Sequence, residues 1–351
     1  MSDQPTHDRA RLDRRDFLRL GGAASAGALT GCLRGPSAEG LPPLPANPLT
    51  TAAMPTRNLG RTGYQVGLFS LGGQAAVEQP QNEAVAVPIV ERALDLGVNY
   101  IDTAAAYGGA ERWSQRYIGQ VMRRRRRESF LTSKTNDRTR DGSLRLLEES
   151  LRLLNTDHLD LWQVHNLTRM EQVDQISAPG GALEALRQAR EQKMVRFLGV
   201  TGHADPDVLI EALRRFEFDT VLLALNAADP HHRSFSATLL PMAVERKLGI
   251  IGMKIPARSR ILSSWTPPPL DKQRAGERPA KRGTLDMREA MYYVLSLPVS
   301  TVIIGCDSIA QLEENVRLAR AFTPLSQTQM AALTERTRTI AKQSLFFREW
   351  A

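Results

Sequence analysis

From about residue 55 onward, short and nearly continuous apolar runs alternate with segments of helical period. The apolar runs recur at intervals of roughly 30 residues, the size of one strand–helix unit. They are QVGLFSLGG, VNYIDT, SFLTSK, LDLWQVH, VRFLGVTG, DTVLLALN, LGIIGMK and STVIIG. Because these runs are apolar at nearly every position rather than at alternate ones, we predict parallel strands that are buried on both faces.

The segments between these strands repeat apolar residues at helical spacing. VAVPIVERALDLG places Val85, Ile89, Ala93 and Leu96 on one face and stops at Gly97, a helix C-terminal signal. The same rule applies to DGSLRLLEESLRLLN, GALEALRQAREQK, PDVLIEALRRFE, LLPMAVERKLG and REAMYYVLSL. We therefore predict a helix between consecutive strands.

Eight strands separated by helices form either an open doubly wound sheet or a closed (β/α)₈ barrel, the TIM barrel. The number and even spacing of the strands favour the barrel, and no G-x-G-x-x-G motif follows the first strand to support a Rossmann half. The segment RNLGRTGYQV, just before the first strand, predicts a hairpin that closes the barrel floor. The long Pro-rich segment 256–283 falls in a strand-to-helix loop and is a candidate lid.

The N-terminal segment does not share this pattern. In DRRDFLRLGGAASAGALTGC, residues 13–32, two arginines precede a Phe-Leu pair and a short Gly/Ala-rich run. This resembles a twin-arginine export signal, with Asp13 as a departure from the usual Ser or Thr. The ending LTGC resembles a lipoprotein cleavage box, in which Cys32 would be lipidated; the alternative is an ordinary packed cysteine.

These patterns predict three segments. Residues 1–32 are the cleavable signal, residues 33–54 a flexible Pro-rich linker, and residues 55–345 the barrel domain. The resemblance implies a partner, the twin-arginine export machinery, and a periplasmic or membrane-anchored location outside the bacterial cytoplasm. Contact with a membrane is expected only through a lipid on Cys32.

Composition and charge change this picture little. An apolar share of 42% and a charged share of 24% are those of a soluble globular protein. The net charge of +8 raises nucleic acid as a partner. However, the arginine run at 124–127 follows a helical pattern without interleaved aromatic residues, so we predict a solvated helix end and no nucleic-acid binding. Two cysteines, Cys32 and Cys306, do not make a disulfide framework.

Polar residues stand at the carboxyl ends of the predicted strands. In a barrel these ends meet at one rim, where residues far apart in sequence converge. In strand order from the second to the eighth, the end residues are Asp102, Lys134, His165, Thr201, Asn226, Lys254 and Gly305, and Tyr107 lies just beyond Asp102.

A phenol, an ammonium, a carboxylate and an imidazole can together deliver a proton to an oxygen that gains negative charge. Tyrosine alone, with a pKa of about 10, is a poor acid at neutral pH. A lysine near Tyr107 would lower its pKa, and a carboxylate would hold that lysine in place. A histidine can orient a substrate oxygen, so the set suits reduction of a carbonyl by hydride.

At residues 55–340 the chain resembles the aldo-keto reductase superfamily. The resemblance rests on IDTAAAYG, FLTSKT and LDLWQVHN, which contain Asp102, Tyr107, Lys134 and His165 at the family's catalytic positions. It implies a metal-free (β/α)₈ barrel that reduces aldehydes or ketones, or oxidises the alcohols, with a nicotinamide cofactor. Tyr107 would be the general acid, Lys134 would lower its pKa, Asp102 would hold Lys134, and His165 would position the carbonyl.

The resemblance also implies a cofactor site. Thr201-Gly202 and Leu222 replace the family's usual nicotinamide contacts, while Asn226 keeps the asparagine that ends the family's sixth-strand motif. Lys254 would approach the phosphates. The remaining candidates lie in GCDSIAQLEENV, which resembles the adenosine-binding segment of potassium-channel beta subunits: Gly305, Asp307, Ser308, Gln311, Glu314 and Asn315.

The identity of the cofactor stays open. The family usually takes NADP(H), and we expect NADP(H) here. Asp307, however, would repel a 2′-phosphate and favour NAD(H).

Other readings remain. Taken singly, each site residue has a structural explanation: a helix cap for Asp102, a solvated lysine for Lys134, packing for Tyr107 and a core histidine for His165. His203, His231 and His232 raise a metal site on the same rim, although we expect none. The altered nicotinamide contacts also allow a nucleotide-binding sensor or partner subunit with little turnover, and a non-redox lyase is a third class.

Overall fold

The computed structural model describes residues 40–350, so the predicted signal and Cys32 lie outside the described residues. Eight parallel strands close into a barrel in which sequential strands are neighbours and the last pairs with the first. This confirms the predicted (β/α)₈ architecture. The barrel strands are β3 (Phe69–Gly72), β4 (Tyr100–Asp102), β5 (Phe130–Thr135), β6 (Leu159–Val164), β7 (Val195–Gly202), β8 (Thr220–Ala224), β9 (Gly249–Met253) and β10 (Thr301–Ile304).

A hairpin precedes the barrel, as predicted. It consists of β1 (Thr56–Asn58) and β2 (Gln65–Gly67), which pair antiparallel. The apolar run QVGLFSLGG was expected to be one strand, but it is divided at Leu68, so that its first part belongs to the hairpin and its second part starts the barrel. Tyr64 of the hairpin turn donates a hydrogen bond to Asn99 O at 2.8 Å and stacks near Phe130, with ring centroids 4.6 Å apart. The hairpin therefore covers the amino-terminal end of the barrel.

Helices surround the strands. In chain order they are α1 (Thr50–Ala53), α2 (Glu83–Asp95), α3 (Trp113–Arg125), α4 (Arg140–Leu153), α5 (Met170–Ser177), α6 (Ala182–Glu191), α7 (Pro206–Arg215), α8 (Leu239–Glu245), α9 (Met287–Leu295), α10 (Ile309–Arg320), α11 (Gln327–Thr337) and α12 (Ala341–Ser344). Ile89 and Ala93 of α2 are buried as predicted, but Val85, in the first turn, is 41% exposed. Among the described residues, no helix is both long and apolar enough to span a membrane.

Alternate strand residues pack into two separate apolar layers. Tyr100 and Phe130 belong to the cluster inside the barrel, whereas Ile101 and Leu131 belong to the larger cluster between strands and helices. Strand side chains point alternately to opposite faces, so burial of both faces explains the continuous apolar runs. The stacked rings of Tyr100, Phe130 and Phe197 fill the lower barrel, which leaves the carboxyl end as the open end.

The segment expected to be a flexible linker is packed in its second half. Ala46 N donates to Arg127 O at 2.9 Å, and Asn47 Nδ2 donates to Leu94 O at 2.7 Å. Ala53 and Met54 are 5% and 2% exposed. Asn47 and Thr50 are buried as well, whereas Ala46, Pro48, Leu49 and Ala52 are exposed. Residues 45–54 are therefore partly packed against the barrel domain.

The arginine run ends a helix, as predicted, but it is more than a solvated end. Arg125 pairs with Asp95 at 2.6 Å and with Glu128 at 2.7 Å. Arg126 pairs at 2.9 Å with Asp160, whose side chain is fully buried. These arginines therefore tie α3 to neighbouring parts of the barrel floor.

The long loop after β9 is held by the C-terminal segment. The side chain of Gln343 accepts from Lys281 N at 2.8 Å and donates to Arg260 O at 2.9 Å. The Arg260 guanidinium lies 4.4 Å from the centre of the Phe346 ring. The candidate lid is thus in contact with the end of the chain.

Candidate active site

A buried ion pair lies at the carboxyl end of β4 and β5. These strands pair so that Asp102 is opposite Thr132, one pleat from Lys134. Lys134 Nζ donates to Asp102 Oδ2 at 2.6 Å and to Thr103 O at 2.8 Å, and Thr132 Oγ1 donates to Asp102 Oδ1 at 2.9 Å. Both oxygens of the carboxylate are therefore bonded, which fixes the position of the ammonium.

Tyr107 stands directly beside this pair. The turn that carries it is closed by a hydrogen bond from Tyr107 N to Ala104 O at 3.1 Å. Gly108 follows with φ of 85°, and a Cβ there would lie 2.5 Å from Trp113 N, so the turn requires glycine. Lys134 Nζ lies 4.9 Å from the centre of the Tyr107 ring. The sequence-predicted phenol and amine are thus adjacent.

The pKa of Tyr107 differs from the expected direction. Removal from water raises this pKa well above 10, and the carboxylates of Asp102 and Glu78 raise it further, while Arg258 lowers it. Lys134 was expected to lower this pKa, but removal from water and the two carboxylates outweigh the lysine. In the protein alone, the phenol is therefore held in its protonated form.

His165 completes the group. Its ring lies edge-on to the Tyr107 ring, with centroids 5.7 Å apart. Its backbone N donates to Thr135 O at 2.8 Å, and Arg138 Nη2 donates to His165 O at 2.9 Å. Burial lowers the pKa of His165 to about 3, helped by the charge of Lys134. The imidazole is thus neutral at physiological pH and can donate one N–H to a substrate oxygen.

A cleft of about 370 Å³ opens beside Tyr107 and Asp102. One wall is apolar and comes from the barrel interior, including Leu222, Met253 and Ile303. The other lining groups are mostly polar or glycine, and they include Gly72, Gly73, Gln74, Glu78, Gln79, Lys254, Arg258, Ser259, Gly305 and Asp307. Asp102 and Tyr107 therefore line a cavity of the size of ligand pockets, and their partners Lys134 and His165 lie directly behind them.

Lys254 lies in this cleft, next to the catalytic group. Its Nζ donates to Gln74 Oε1 at 3.1 Å. Burial lowers the pKa of Lys254 to about 8, with a smaller contribution from Arg258. Lys254, Arg258 and Ser259 all have φ between 52° and 67°, an uncommon conformation for residues other than glycine that is often found at functional sites.

Two of the candidate cofactor residues, Thr201 and Asn226, are engaged within the protein. Thr201 Oγ1 accepts from Asn166 N at 2.7 Å and so supports the turn that follows His165. Asn226 Nδ2 donates to Ser344 O at 3.1 Å, and its Oδ1 accepts from Ala228 N at 2.9 Å. Both residues are fully buried, and neither lines the cleft described above.

The segment after β10 forms the start of α10. Ser308 caps this helix by accepting from Gln311 N at 3.3 Å, and Gln311 Oε1 accepts from Asp307 N at 2.8 Å. Asn315 Nδ2 donates to Cys306 Sγ at 3.4 Å in the interior. Gly305 and Asp307 line the cleft, whereas Glu314 is exposed on the helix.

These residues fit a dinucleotide. Lys254 and Arg258 provide cations for phosphates, and the N-terminus of α10 adds partial positive charge. The apolar wall around Leu222 and Ile303 suits one face of a planar ring. The donor set of the cleft is therefore the kind that phosphate and nicotinamide groups require.

The rim histidines have protein partners. His203 Nδ1 lies 2.7 Å from Asn166 Oδ1, His231 Nε2 lies 2.8 Å from Thr334 O, and His232 Nε2 lies 2.6 Å from Glu349 O. Across residues 40–350, no group of three or more His, Cys, Asp or Glu residues could hold a metal ion.

Sequence reasoning missed three residues that line the cleft and one that packs against the barrel interior. Gln74 and Glu78 follow β3, whose strand end carries glycine and gave no polar signal. Arg258 lies in a loop whose composition suggested a lid. Phe347, near the C-terminus, packs against the barrel interior and lies 6.0 Å, centre to centre, from the His203 ring. These contacts depend on loop paths, which strand and helix periodicity does not predict.

Comparisons with known proteins agree with this geometry. The model of the aldo/keto reductase family matches residues 65–337. An uncharacterized oxidoreductase of Bacillus subtilis is 25% identical over 320 residues, which cover 81% of this chain and 97% of that protein. The L-galactose dehydrogenase of Arabidopsis thaliana is 25% identical over 297 residues, 78% of this chain and 90% of that protein. The pyridoxine 4-dehydrogenase of Escherichia coli is 26% identical over 282 residues, 76% of this chain and 91% of that protein.

Solved structures share the fold. An aldo-keto reductase of Bacillus halodurans in its holo form superposes with a TM-score of 0.67 at 23% identity and covers 81% of this chain and 96% of that one. The glycerol dehydrogenase of Gluconobacter oxydans gives a TM-score of 0.65 at 20% identity, covering 82% of this chain and 96% of that one.

Proposed function

Because this chain belongs to the aldo/keto reductase family, we propose that it transfers a hydride between a nicotinamide cofactor and a carbonyl or alcohol substrate. The observation that carries the proposal is the buried Lys134–Asp102 pair at 2.6 Å beside Tyr107, which lines the cleft and whose ring meets the His165 ring edge-on. Members of the family generally use NADPH or NADH. A bound reduced nicotinamide would supply the hydride.

The side chains of this protein would supply the proton and the orientation. Tyr107 keeps its proton in the cleft before the reaction. It would donate that proton to the substrate oxygen as the oxygen becomes an alkoxide, because the alcohol that forms has a higher pKa than a phenol. Neutral His165 would donate a second hydrogen bond to the same oxygen and so fix the direction of approach. Lys134, anchored by Asp102, would stabilise the negative charge that Tyr107 acquires.

The cofactor would occupy the cleft beside Tyr107. Lys254 and Arg258 are the cations available to its phosphates, and Asp307 and the start of α10 are available to the ribose and adenine. NADP(H) remains the expectation from the family, while the carboxylate of Asp307 favours NAD(H). The substrate is a small carbonyl compound or alcohol. Sugars and pyridoxine are among the first compounds to test as substrates, because two relatives are named as dehydrogenases of L-galactose and of pyridoxine.

The test is turnover with a matched variant. Purified protein is mixed with NADPH or NADH and a panel of aldehydes and ketones, or with NADP⁺ or NAD⁺ and a panel of alcohols that includes sugars and pyridoxine, and absorbance of the reduced nicotinamide is followed. We expect Tyr107→Phe to lower kcat by about 10²- to 10⁴-fold, the usual contribution of a general acid. Its nucleotide affinity, measured by fluorescence, is expected to remain within about twofold of the wild type.

Two results would contradict the proposal. Nucleotide binding without turnover on any substrate, in either direction, would favour the alternative of a sensor or partner subunit. Failure to bind any nicotinamide nucleotide would favour a barrel with a different chemistry, such as a lyase. Tyr64→Phe is the control and should keep wild-type turnover, because Tyr64 is a buried phenol that donates to Asn99 O at 2.8 Å in the hairpin at the amino-terminal end of the barrel.

Export is proposed from the sequence and is separable from catalysis. We expect a double Arg14→Lys, Arg15→Lys change to retain the full-length protein in the cytoplasm of a bacterial host, as seen by cell fractionation. Cys32→Ala is expected to abolish incorporation of a labelled fatty acid while leaving translocation intact. Equal distribution of wild type and the double variant would contradict export by the twin-arginine route.

A further inference from the structure

One cation of the cleft is unused in the proton-delivery scheme. Lys254 directly follows β9 at the carboxyl rim of the barrel, where Asp102 ends β4 and Lys134 lies one residue before the end of β5. It lines the cleft together with Asp102 and Tyr107, and its Nζ is held at 3.1 Å by Gln74 Oε1. At this position Lys254 acts on the part of the cofactor beside the catalytic group as well as on its phosphates.

The nicotinamide ring has a restricted place in this cleft. A ring that exchanges hydride with a carbon whose oxygen bonds to Tyr107 must itself lie next to Tyr107. The wall available beside that phenol is apolar and is formed by Leu222, Met253 and Ile303. Lys254 adjoins the same wall, because it follows Met253 directly in the chain.

The other charges around this wall cancel in pairs. Lys134 is bonded to Asp102 at 2.6 Å. Arg258 and Glu78 line the cleft with opposite charges. His165 is neutral at physiological pH, because its pKa is about 3, and burial also lowers the pKa of His203. Asp307, the other charged residue of the lining, lies at the mouth of the cleft next to the start of α10, so the ammonium of Lys254 is the charge beside the apolar wall that this set leaves unpaired.

We propose that Lys254 makes the cleft discriminate between the two oxidation states of the cofactor and bind the reduced form more tightly. The oxidised ring carries a positive charge that the ammonium repels, whereas the reduced ring is neutral. At a separation of about 8 Å and an effective dielectric constant of about 30, this repulsion corresponds to about a tenfold difference in affinity. The inference rests on the proposed function, since it requires a nicotinamide in this cleft.

The discrimination depends on pH. Burial, and then the charge of Arg258, lower the pKa of Lys254 to about 8. Below this pH the ammonium is charged and the oxidised form is repelled. Above it the amine is neutral, so the preference for the reduced form declines. The titratable and charged groups that face Lys254 are Arg258, Glu78, Lys134, Asp102, His165 and His203.

The test measures dissociation constants for both forms of whichever nucleotide binds, at pH 6.5 and pH 9.5. The reduced form is titrated by fluorescence, and the oxidised form by displacement of the reduced one. Wild type is compared with Lys254→Met, Lys254→Gln and the charge-preserving Lys254→Arg. Lys342→Met is the matched control, because Lys342 is an exposed lysine on α12.

At pH 6.5 we expect the ratio of oxidised to reduced dissociation constants to fall about tenfold in Lys254→Met and Lys254→Gln. It is expected to persist in Lys254→Arg and Lys342→Met, and to fall in the wild type between pH 6.5 and pH 9.5. Equal ratios in the wild type and both neutral variants would overturn the inference but leave the proposed function intact. A protein that binds neither form would overturn the proposed function itself. Because the pH series uses the wild type alone, the inference stays testable even if the neutral variants fail to fold.

Discussion

Lys134 Nζ lies 2.6 Å from Asp102 Oδ2, and the exposed fractions of the two side chains are 0% and 4%. Thr132 Oγ1 donates a hydrogen bond to Oδ1, the other oxygen of the Asp102 carboxylate. Each charge is therefore compensated by the other and by few further groups. Because the pair also supports Tyr107, stability and catalysis are coupled at this point of the barrel.

Removing one charge of this pair is expected to destabilise the protein strongly. Lys134→Met leaves Asp102 as a buried carboxylate without its cation, which costs about 3–5 kcal/mol of the free energy of unfolding. The measurement is urea unfolding followed by circular dichroism. Asp102→Asn is expected to have a similar effect, because it leaves the ammonium in the interior.

The double variant is the control for this pair. Asp102→Asn combined with Lys134→Met removes both charges, so it should lose less stability than the sum of the single variants. A double variant whose loss equals that sum would show that the pair is not energetically coupled, contrary to its geometry.

Stability is also expected to depend on His165 in acid. Its pKa is lowered from 6.5 to about 3 in the folded protein, so the unfolded chain binds more protons between these values. Stability therefore increases with pH from about 3 to 6.5 and is lost as the pH falls through this window. His165→Asn is expected to flatten this part of the curve, measured as the urea midpoint at several pH values.

The same test applies to His203, because burial lowers the pKa of this histidine as well. His203→Asn should flatten the same window, and the double variant should flatten it further. If the slope of wild type and both single variants were the same, the two imidazoles would not be buried as neutral groups.

The barrel and the catalytic group were predictable from the sequence, whereas the cleft's outer walls were not. Asp102, Lys134 and His165 end or follow strands, and strand ends converge in a barrel regardless of loop length. Phe347 and Arg258 reach the same region from irregular segments, so their positions depend on long-range contacts such as the Arg258–Phe346 pair, at 5.8 Å. The pKa of Tyr107 was predicted in the wrong direction. The sequence indicates which charged residues are near the phenol, but it does not show how completely the phenol is removed from water.

The C-terminal tail is anchored by a second buried ion pair. The Arg348 guanidinium bonds to Asp229, and both side chains are fully buried. Arg348→Met is expected to cost about 3–5 kcal/mol, because Asp229 remains buried without its partner. Loosening the tail also displaces Phe347 from the barrel interior and from His203, so KM for the substrate should rise more than the dissociation constant of the nucleotide.

Phe347→Ala separates the loss of the phenyl ring from the loss of the ion pair, since it leaves Arg348 and Asp229 in place. We expect it to raise KM, with little change in nucleotide affinity. A selective loss of nucleotide affinity in Phe347→Ala would instead place the tail against the cofactor.

Asp307 is expected to set the preference between the two nicotinamide dinucleotides. It is exposed at the mouth of the cleft, just before the Ser308 cap of α10, and its backbone N donates to Gln311 Oε1 at 2.8 Å. A carboxylate here repels the 2′-phosphate of NADP(H), whereas it can accept hydrogen bonds from the free ribose hydroxyls of NAD(H). Asp307→Ser should therefore tighten binding of NADPH by about tenfold and weaken binding of NADH severalfold, both measured by nicotinamide fluorescence.

The salt dependence of this change provides an internal check. Repulsion between exposed charges is screened, so the gain in NADPH affinity should shrink when the ionic strength rises from about 0.01 M to 1 M. Glu245→Gln is a matched loss of one exposed carboxylate at the end of α8, and it should alter neither affinity. If Asp307→Ser also leaves both affinities unchanged, the carboxylate does not face the ribose. The cofactor preference must then come from another part of the cleft, and Arg258 is the next residue to vary.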